Sequence, residues 1–127
     1  MPFQSIPSNI ITTKPRIASL AQVSAVSGTY YTVLDASSIG ELTYCNIHAD
    51  SLIAATNLNI RITVDGVANT IQAPSIANIG YLASTSLNAT RFDYMTDIRF
   101  NTSLKVEIMQ NTGYVISIYG AVHYSLI

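Results

Sequence analysis

The stretch NIRITVDGVANTIQA, residues 59–73, decides the fold class. Ile60, Ile62 and Val64 fall on one side of a period-two ladder, and Asn59, Arg61 and Thr63 fall on the other. Successive side chains of a strand point to opposite faces, so this alternation marks a half-buried strand. Asp65-Gly66 follows at once, and a second run, Val67 to Ala73, follows that. An Asp-Gly pair between two such runs signals a hairpin, because a two-residue type I′ turn needs positive φ at both central positions. Such a turn sets Val64 opposite Val67, Ile62 opposite Asn69 and Ile60 opposite Ile71. Only Asn69 then interrupts an apolar face.

The flanking sequence repeats the pattern. Ile17 to Val26 alternates weakly and ends at Ser27-Gly28. Thr29 to Leu34 (TYYTVL) is β-branched and aromatic, as strands prefer, and Glu41 to Ala49 follows a turn at Ser37 to Gly40. Pro74 to Thr90, rich in Ala, Ser and Asn, fits a short helix or an irregular connection. Arg91 to Asp97 (RFDYMTD) reads as a turn-bearing edge, and Ile98 to Met109 as one clean strand. Asn111-Thr112-Gly113 reads as a second hairpin loop, with Tyr114 to about Leu126 as its return strand. Within that last run Ile116, Ile118 and Val122 point to the core, while Ser117, Tyr119, Ala121 and His123 lie opposite, with Gly120 as the break. A succession of short strands without a convincing long helix predicts an all-β fold, a single antiparallel β-sandwich of jelly-roll type.

Pro2, Pro7 and Pro15 stand in the first sixteen residues, and proline resists both helix and central strand. Residues 1–15 are therefore expected to form an extended N-terminal arm, and residues 16–127 the sandwich. Phe3, Ile6 and Ile10 make the arm too apolar for a solvated tail. It packs along its own domain or reaches a neighbouring subunit.

Charged residues make up 10% of the chain, well below the usual quarter or so, and the net charge is −1. Ser, Thr and Asn carry the polarity instead. Such a surface packs against other copies with few ion-desolvation penalties. It also lacks the basic stripe that drives binding to nucleic acid or to an anionic membrane. No apolar run approaches the roughly 18 residues of a membrane span. The N-terminus has proline and polar residues where a signal peptide has a continuous apolar run. The one cysteine, Cys45, permits no intramolecular disulfide.

Chemistry-bearing residues are sparse. His48 and His123 lie in predicted strands among apolar neighbours, with no third ligand near. Cys45 is three residues from His48, which on a strand puts the two on opposite faces, so Cys45 reads as a small buried hydrophobe. Arg91, Asp93, Asp97 and Arg99 form the densest charge cluster. Two acids among two bases favour ion pairs over a carboxylate or metal site, and they mark a candidate contact between subunits. Eight tyrosines stand against no tryptophan. Tyr30 and Tyr31 are adjacent on a strand, so one of them faces outward or into an interface. Exposed rings also stack on sugars. No catalytic motif and no phosphate-binding loop is present. No enzymatic activity and no cofactor is expected.

Arg99-Phe100-Asn101-Thr102-Ser103-Leu104-Lys105-Val106-Glu107-Ile108, the Ile62 to Gly66 hairpin and the apolar ending Tyr114 to Ile127 together resemble small β-sandwich virion proteins of tailed bacteriophages. The resemblance spans roughly residues 29–127. It implies a structural virion protein: a capsid decoration or cement protein that self-associates, with a trimer preferred, and bridges capsid subunits. Its partners would be further copies of itself and the major capsid protein or another virion protein. It would be made in the host cytoplasm and reside in the virion. A receptor- or carbohydrate-binding module of a tail or head fibre is the alternative. Expected contact residues are Phe3, Ile6 and Ile10 of the arm, Tyr30 and Tyr31, and Arg91, Asp93, Asp97 and Arg99.

Overall fold

The Asp65-Gly66 turn forms with φ of 51° and 87°, the two positive values that a type I′ turn requires. Val64 pairs with Val67, Ile62 with Asn69 and Ile60 with Ile71, as the two-residue loop predicts. In the computed structural model, which describes residues 14–51, 53–73, 81–86 and 89–127, this hairpin is part of a two-sheet sandwich. The strands are β1 (Lys14–Ala25), β2 (Tyr31–Ala36), β3 (Gly40–Ala49), β4 (Leu58–Val64), β5 (Val67–Gln72), β6 (Tyr81–Ser86), β7 (Ala89–Phe100), β8 (Leu104–Gln110) and β9 (Ile116–Leu126). One sheet has the order β1-β9-β3-β7-β6 and the other β2-β8-β4-β5. Every pairing is antiparallel. The chain alternates between sheets except at β4–β5 and β6–β7. This is the double Greek-key order of a jelly roll, with β6 added at one edge.

Inward residues of both sheets meet in one core. Leu42, Ile47, Phe92, Phe100, Ile118 and Val122 come from the five-stranded sheet. Leu58, Ile60, Ile62, Leu104, Val106 and Ile108 come from the four-stranded one. Each such side chain contributes about 1.5–3 kcal/mol on burial. Ile118 and Val122 are fully buried, as the terminal alternation predicts, and Ile116 packs against them.

Several expectations need correction. Pro74 to Thr90, expected to be a short helix or an irregular connection, contains β6 and the start of β7. The run from Ile98 to Met109 is two strands, because the chain changes sheets at Asn101 to Ser103. The Asp65 carboxylate holds that corner, accepting hydrogen bonds from the backbone N–H of Asn101 (2.9 Å), Thr102 (2.7 Å) and Ser103 (3.1 Å). Arg91 to Asp97 lies within β7, a strand between β3 and β6, and is not a turn-bearing edge. Leu42 pairs with Ile98 but Tyr44 with Met95, so β7 carries an extra residue relative to β3. Phe92, Tyr94, Ile98 and Phe100 still share the inward side, and the charges at the outward positions 91, 93, 97 and 99 are what mimic a loop.

Asn111 to Gly113 does not close a hairpin either. β8 lies between β2 and β4, and β9 between β1 and β3, so the segment crosses from one sheet to the other. The buried Gln110 side chain organises the crossing. Its Nε2 donates to the carbonyls of Ala25 (3.0 Å) and Tyr114 (2.7 Å). Its Oε1 accepts from Thr112 N (2.9 Å) and Thr112 Oγ1 (2.6 Å). A polar side chain that satisfies four backbone and hydroxyl groups can occupy a core end without a desolvation deficit. Lys14 and Pro15, expected in the arm, are the first residues of β1. The rest of the expected arm lies outside the described residues.

Candidate functional site

The inward positions Cys45, Ile47 and Ala49 of β3 are buried, so Tyr44, Asn46 and His48 project from the opposite, outer face. The register on either side of β3 assembles rows across the sheet. Arg91, His48 and Tyr119 form one row. Asp93, Asn46, Ala121 and Ser19 form the next. Met95, Tyr44, His123 and Ile17 form a third. Two ring pairs therefore flank a row of small side chains. The His48 and Tyr119 centroids are 4.5 Å apart, and those of Tyr44 and His123 are 5.0 Å apart in a T-shaped contact. Beside the His48–Tyr119 pair lies a depression of about 320 Å³, lined by Ser19, Leu20, Asn46, His48, Arg91, Tyr119, Gly120 and Ala121. A second, wider groove of about 690 Å³ lies beyond the lower pair, among Ile17, Glu41, Thr43, His123 and Tyr124.

A polar network ties the rows together. Asp93, only 5% exposed, accepts a hydrogen bond from the Tyr44 hydroxyl and a charge-assisted bond from Arg91 Nε at 2.6 Å. Asn46 Nδ2 donates to the Tyr44 oxygen (2.8 Å), and its Oδ1 accepts from Ala121 N (2.8 Å). Burial, then the bond to Asp93, raises the Tyr44 hydroxyl above the usual phenolic pKa. The Asp93 carboxylate raises the Arg91 guanidinium in turn. Gly120 is required by the close approach of β9 to β3. A Cβ there would stand 2.6 Å from the Asn46 carbonyl oxygen and 3.1 Å from Ile108 Cδ1. His48 Nδ1 is buried with no hydrogen-bond partner among the described residues.

Of the expected charge cluster, the structure brings together Arg91 and Asp93. Asp97 lies within the bulge and Arg99 beyond it, both exposed, with no ion pair to each other among the described residues. Tyr30 and Tyr31 have partners within the chain: the Arg61 guanidinium sits 3.8 Å from the Tyr30 ring centroid, and Val26 N donates to the Tyr31 hydroxyl (2.9 Å). Phe3, Ile6 and Ile10 lie outside the described residues. Cys45 is buried, and desolvation pushes its thiol up to about 12, which removes it as a nucleophile at neutral pH. Among the described residues, no cluster of His, Cys, Asp and Glu is suited to hold a metal ion. Tyr44, Asn46 and Tyr119 were not singled out in advance. The alternation of β3 and β9 shows their faces, but only the pairing of β3 between β7 and β9 brings them together.

No protein-family model matches the chain, and no curated protein matches it. Its fold is similar to solved structures of viral capsids. One is a chain of the cyanophage Pam1 capsid asymmetric unit, with TM-score 0.51 and 14% identity, covering 99% of this chain and 94% of that one. Another is a chain of the acid-stable capsid of Helicobacter pylori bacteriophage KHP30, with TM-score 0.51 and 13% identity, covering 88% of this chain and 87% of that one. At such identities the likeness is one of fold, and that shared fold is the two-sheet jelly roll described above.

Proposed function

We propose that this chain is a structural, non-enzymatic protein of a bacteriophage virion, and specifically a capsid decoration or cement protein that self-associates and bridges capsid subunits. The observation that carries this reading is the reciprocal extent of the likeness to the Pam1 capsid chain, 99% of one and 94% of the other. The surface supports it. Val26, Tyr114 and Val115 are large apolar side chains left exposed at one end of the sandwich, where Gly113 N donates to Ser27 Oγ (2.8 Å) and joins the two connections. Ile39 and Ile127 are exposed together at the other end, linked by Ile127 N donating to the Ile39 carbonyl (3.0 Å). β1 offers an edge of 12 residues, and beyond Arg16 it bears no charge to discourage pairing. Many weak contacts of this kind act additively, and repetition around a shell supplies avidity.

In this reading the arm, with Phe3, Ile6 and Ile10, reaches a neighbouring subunit. The oligomer has closed symmetry, with a trimer preferred. The partners are further copies and the major capsid protein or another virion protein. The protein is made in the host cytoplasm and resides in the virion. The test is electron microscopy of purified virions with a label on this chain. Even decoration of the head is expected, and label confined to the tail overturns the cement assignment. A carbohydrate-binding module of a tail or head fibre is the second reading, favoured by the ring-bordered depression on the outer face of the five-stranded sheet.

A further inference from the structure

We infer that the depression beside the His48–Tyr119 ring pair is a binding site for a neutral carbohydrate. A sugar ring presents an apolar C–H face and an equatorial rim of hydroxyls. It is held where an aromatic surface adjoins a few fixed polar groups. The rows of this sheet supply both. Ala121 and Ser19 are short, so they form a floor beside the taller Tyr119 and His48 rings. Arg91 stands at the rim with half of its side chain exposed. Asp93 engages its Nε, which orients the planar fork at the edge of the depression.

The supporting network is preorganised. Asp93, Tyr44, Asn46 and the Ala121 amide bond one another without a ligand, so little side-chain freedom remains to be lost on binding. The face is not entirely self-satisfied, since the buried His48 Nδ1 has no partner among the described residues.

Charge selects the ligand class. Arg91 and Asp93 neutralise one another, so no net positive field attracts a phosphate, a nucleic acid or a strongly anionic polymer. A hydroxyl-rich neutral ligand needs no such field. The volume, about 320 Å³, lies at the low end for small-molecule sites and fits a terminal sugar unit better than a long chain. Ile17 and Met95, the exposed apolar side chains of this face, lie at the two ends of the third row, outside the depression. The inference holds for a head protein and a tail protein alike, so virion labelling and sugar binding succeed or fail independently.

The test applies the full chain to an array of neutral oligosaccharides ending in glucose, galactose, mannose or N-acetylglucosamine. Calorimetric titration with the oligosaccharide that binds best follows. Ala121→Gln fills the floor, Tyr119→Ala removes one ring and Arg91→Met removes the fork; thermal unfolding confirms that each variant folds. Binding by the unaltered chain, weakened about tenfold or more by Ala121→Gln and by Tyr119→Ala, is the expected result, a loss equal to one stacking contact. Arg91→Met, on an exposed position, gives the same answer should either of the others fail to fold. Thr70→Ala, on the exposed strand β5 of the opposite sheet, leaves binding unchanged. Absence of binding to every neutral oligosaccharide at millimolar concentration overturns the inference. So does binding that survives the depression variants. A change confined to oligomeric state in those variants also overturns it, and identifies the face as a protein-docking surface.

Discussion

The two outer faces of the sandwich are built from the same alternation but end in different chemistry. On the four-stranded sheet, Arg61 lies between Tyr30 and Glu107. It stacks on the ring and makes two 2.9 Å bonds to the carboxylate, while Lys105 stands 3.8 Å from the same carboxylate. Arg61, Lys105 and Glu107 answer one another's charge there. On the five-stranded sheet, the corresponding middle row is short-chained, with rings above and below it and one ring nitrogen unpartnered. Asn59 Oδ1 on the first face and His48 Nδ1 on the second are both buried without a hydrogen-bond partner among the described residues, so the faces differ in relief rather than in polar satisfaction. A face that leaves a floor and a rim open has capacity for a ligand. The contrast follows side-chain length at the middle strand positions.

The largest expected effect comes from breaking the open face at its base. Gly120→Val drives a Cβ to within 2.6 Å of the Asn46 carbonyl oxygen, a backbone atom with little room to yield. Overpacking of this kind costs about 1–3 kcal/mol, with the upper end expected because both β3 and β9 must shift. Chemical denaturation measures it, and a loss below about 0.5 kcal/mol would show that the strands do not approach so closely.

On the closed face the effect is smaller. Glu107→Ala removes both bonds to Arg61, but Arg61 is about one-third exposed and can turn to water. The expected loss is about 1 kcal/mol after discounting for solvent screening, and it shrinks with added salt. A double-mutant cycle with Arg61→Ala checks it, and a coupling that salt does not change would contradict the screened picture.

Acid tests the same face by another route. The Arg61 guanidinium holds the Glu107 carboxyl below its usual range, and backbone N–H groups of Thr102 and Ser103 do the same for Asp65. A depressed folded-state pKa means that the stabilisation is present above the unfolded values, about 4.3 for Glu and 3.9 for Asp. It is lost as pH falls through the folded ones. The Tm should hold near neutrality and decline below about pH 4. Asp65→Asn and Glu107→Gln should each flatten that decline, whereas Arg91→Met, on the other face, should leave the contributions of these two carboxylates unchanged.

The closed face also shows what local sequence can and cannot reveal. The Asp65-Gly66 hairpin was legible because its register depends on two residues and the runs beside them. Asn111-Thr112-Gly113 looks similar but joins different sheets, and the decisive group is the Gln110 side chain, whose partners include the Ala25 carbonyl 85 residues away. Likewise Arg91 to Asp97 alternates as a strand should, with Phe92 inward and Arg91 and Asp93 on the outer face, but its charge density mimics a loop. The aromatic rows were half legible: each strand displays its own outer residues, and none displays its neighbour. Adjacency in a jelly roll is non-local, since β3 pairs with the last strand of the chain.

The smallest expected effect divides a charge cluster that the sequence presents as one. Arg91 and Asp93 share a 2.6 Å ion pair within the network of the open face. Arg99 lies beyond the bulge, exposed, opposite Glu41 in the register but without a salt bridge to it among the described residues. Opposed charges across a strand pair contribute only a few tenths of a kcal/mol when solvated. Arg99→Gln should therefore change stability by no more than about 0.5 kcal/mol. Asp93→Asn should cost about 1–3 kcal/mol, because it weakens two hydrogen bonds at a nearly buried site and leaves the Arg91 charge unanswered. Equal losses for the two would mean that the bulge does not separate them and that all four charges act as one contact. Unequal losses in the stated order confine the structured part of the cluster to the wall of the ring-bordered depression.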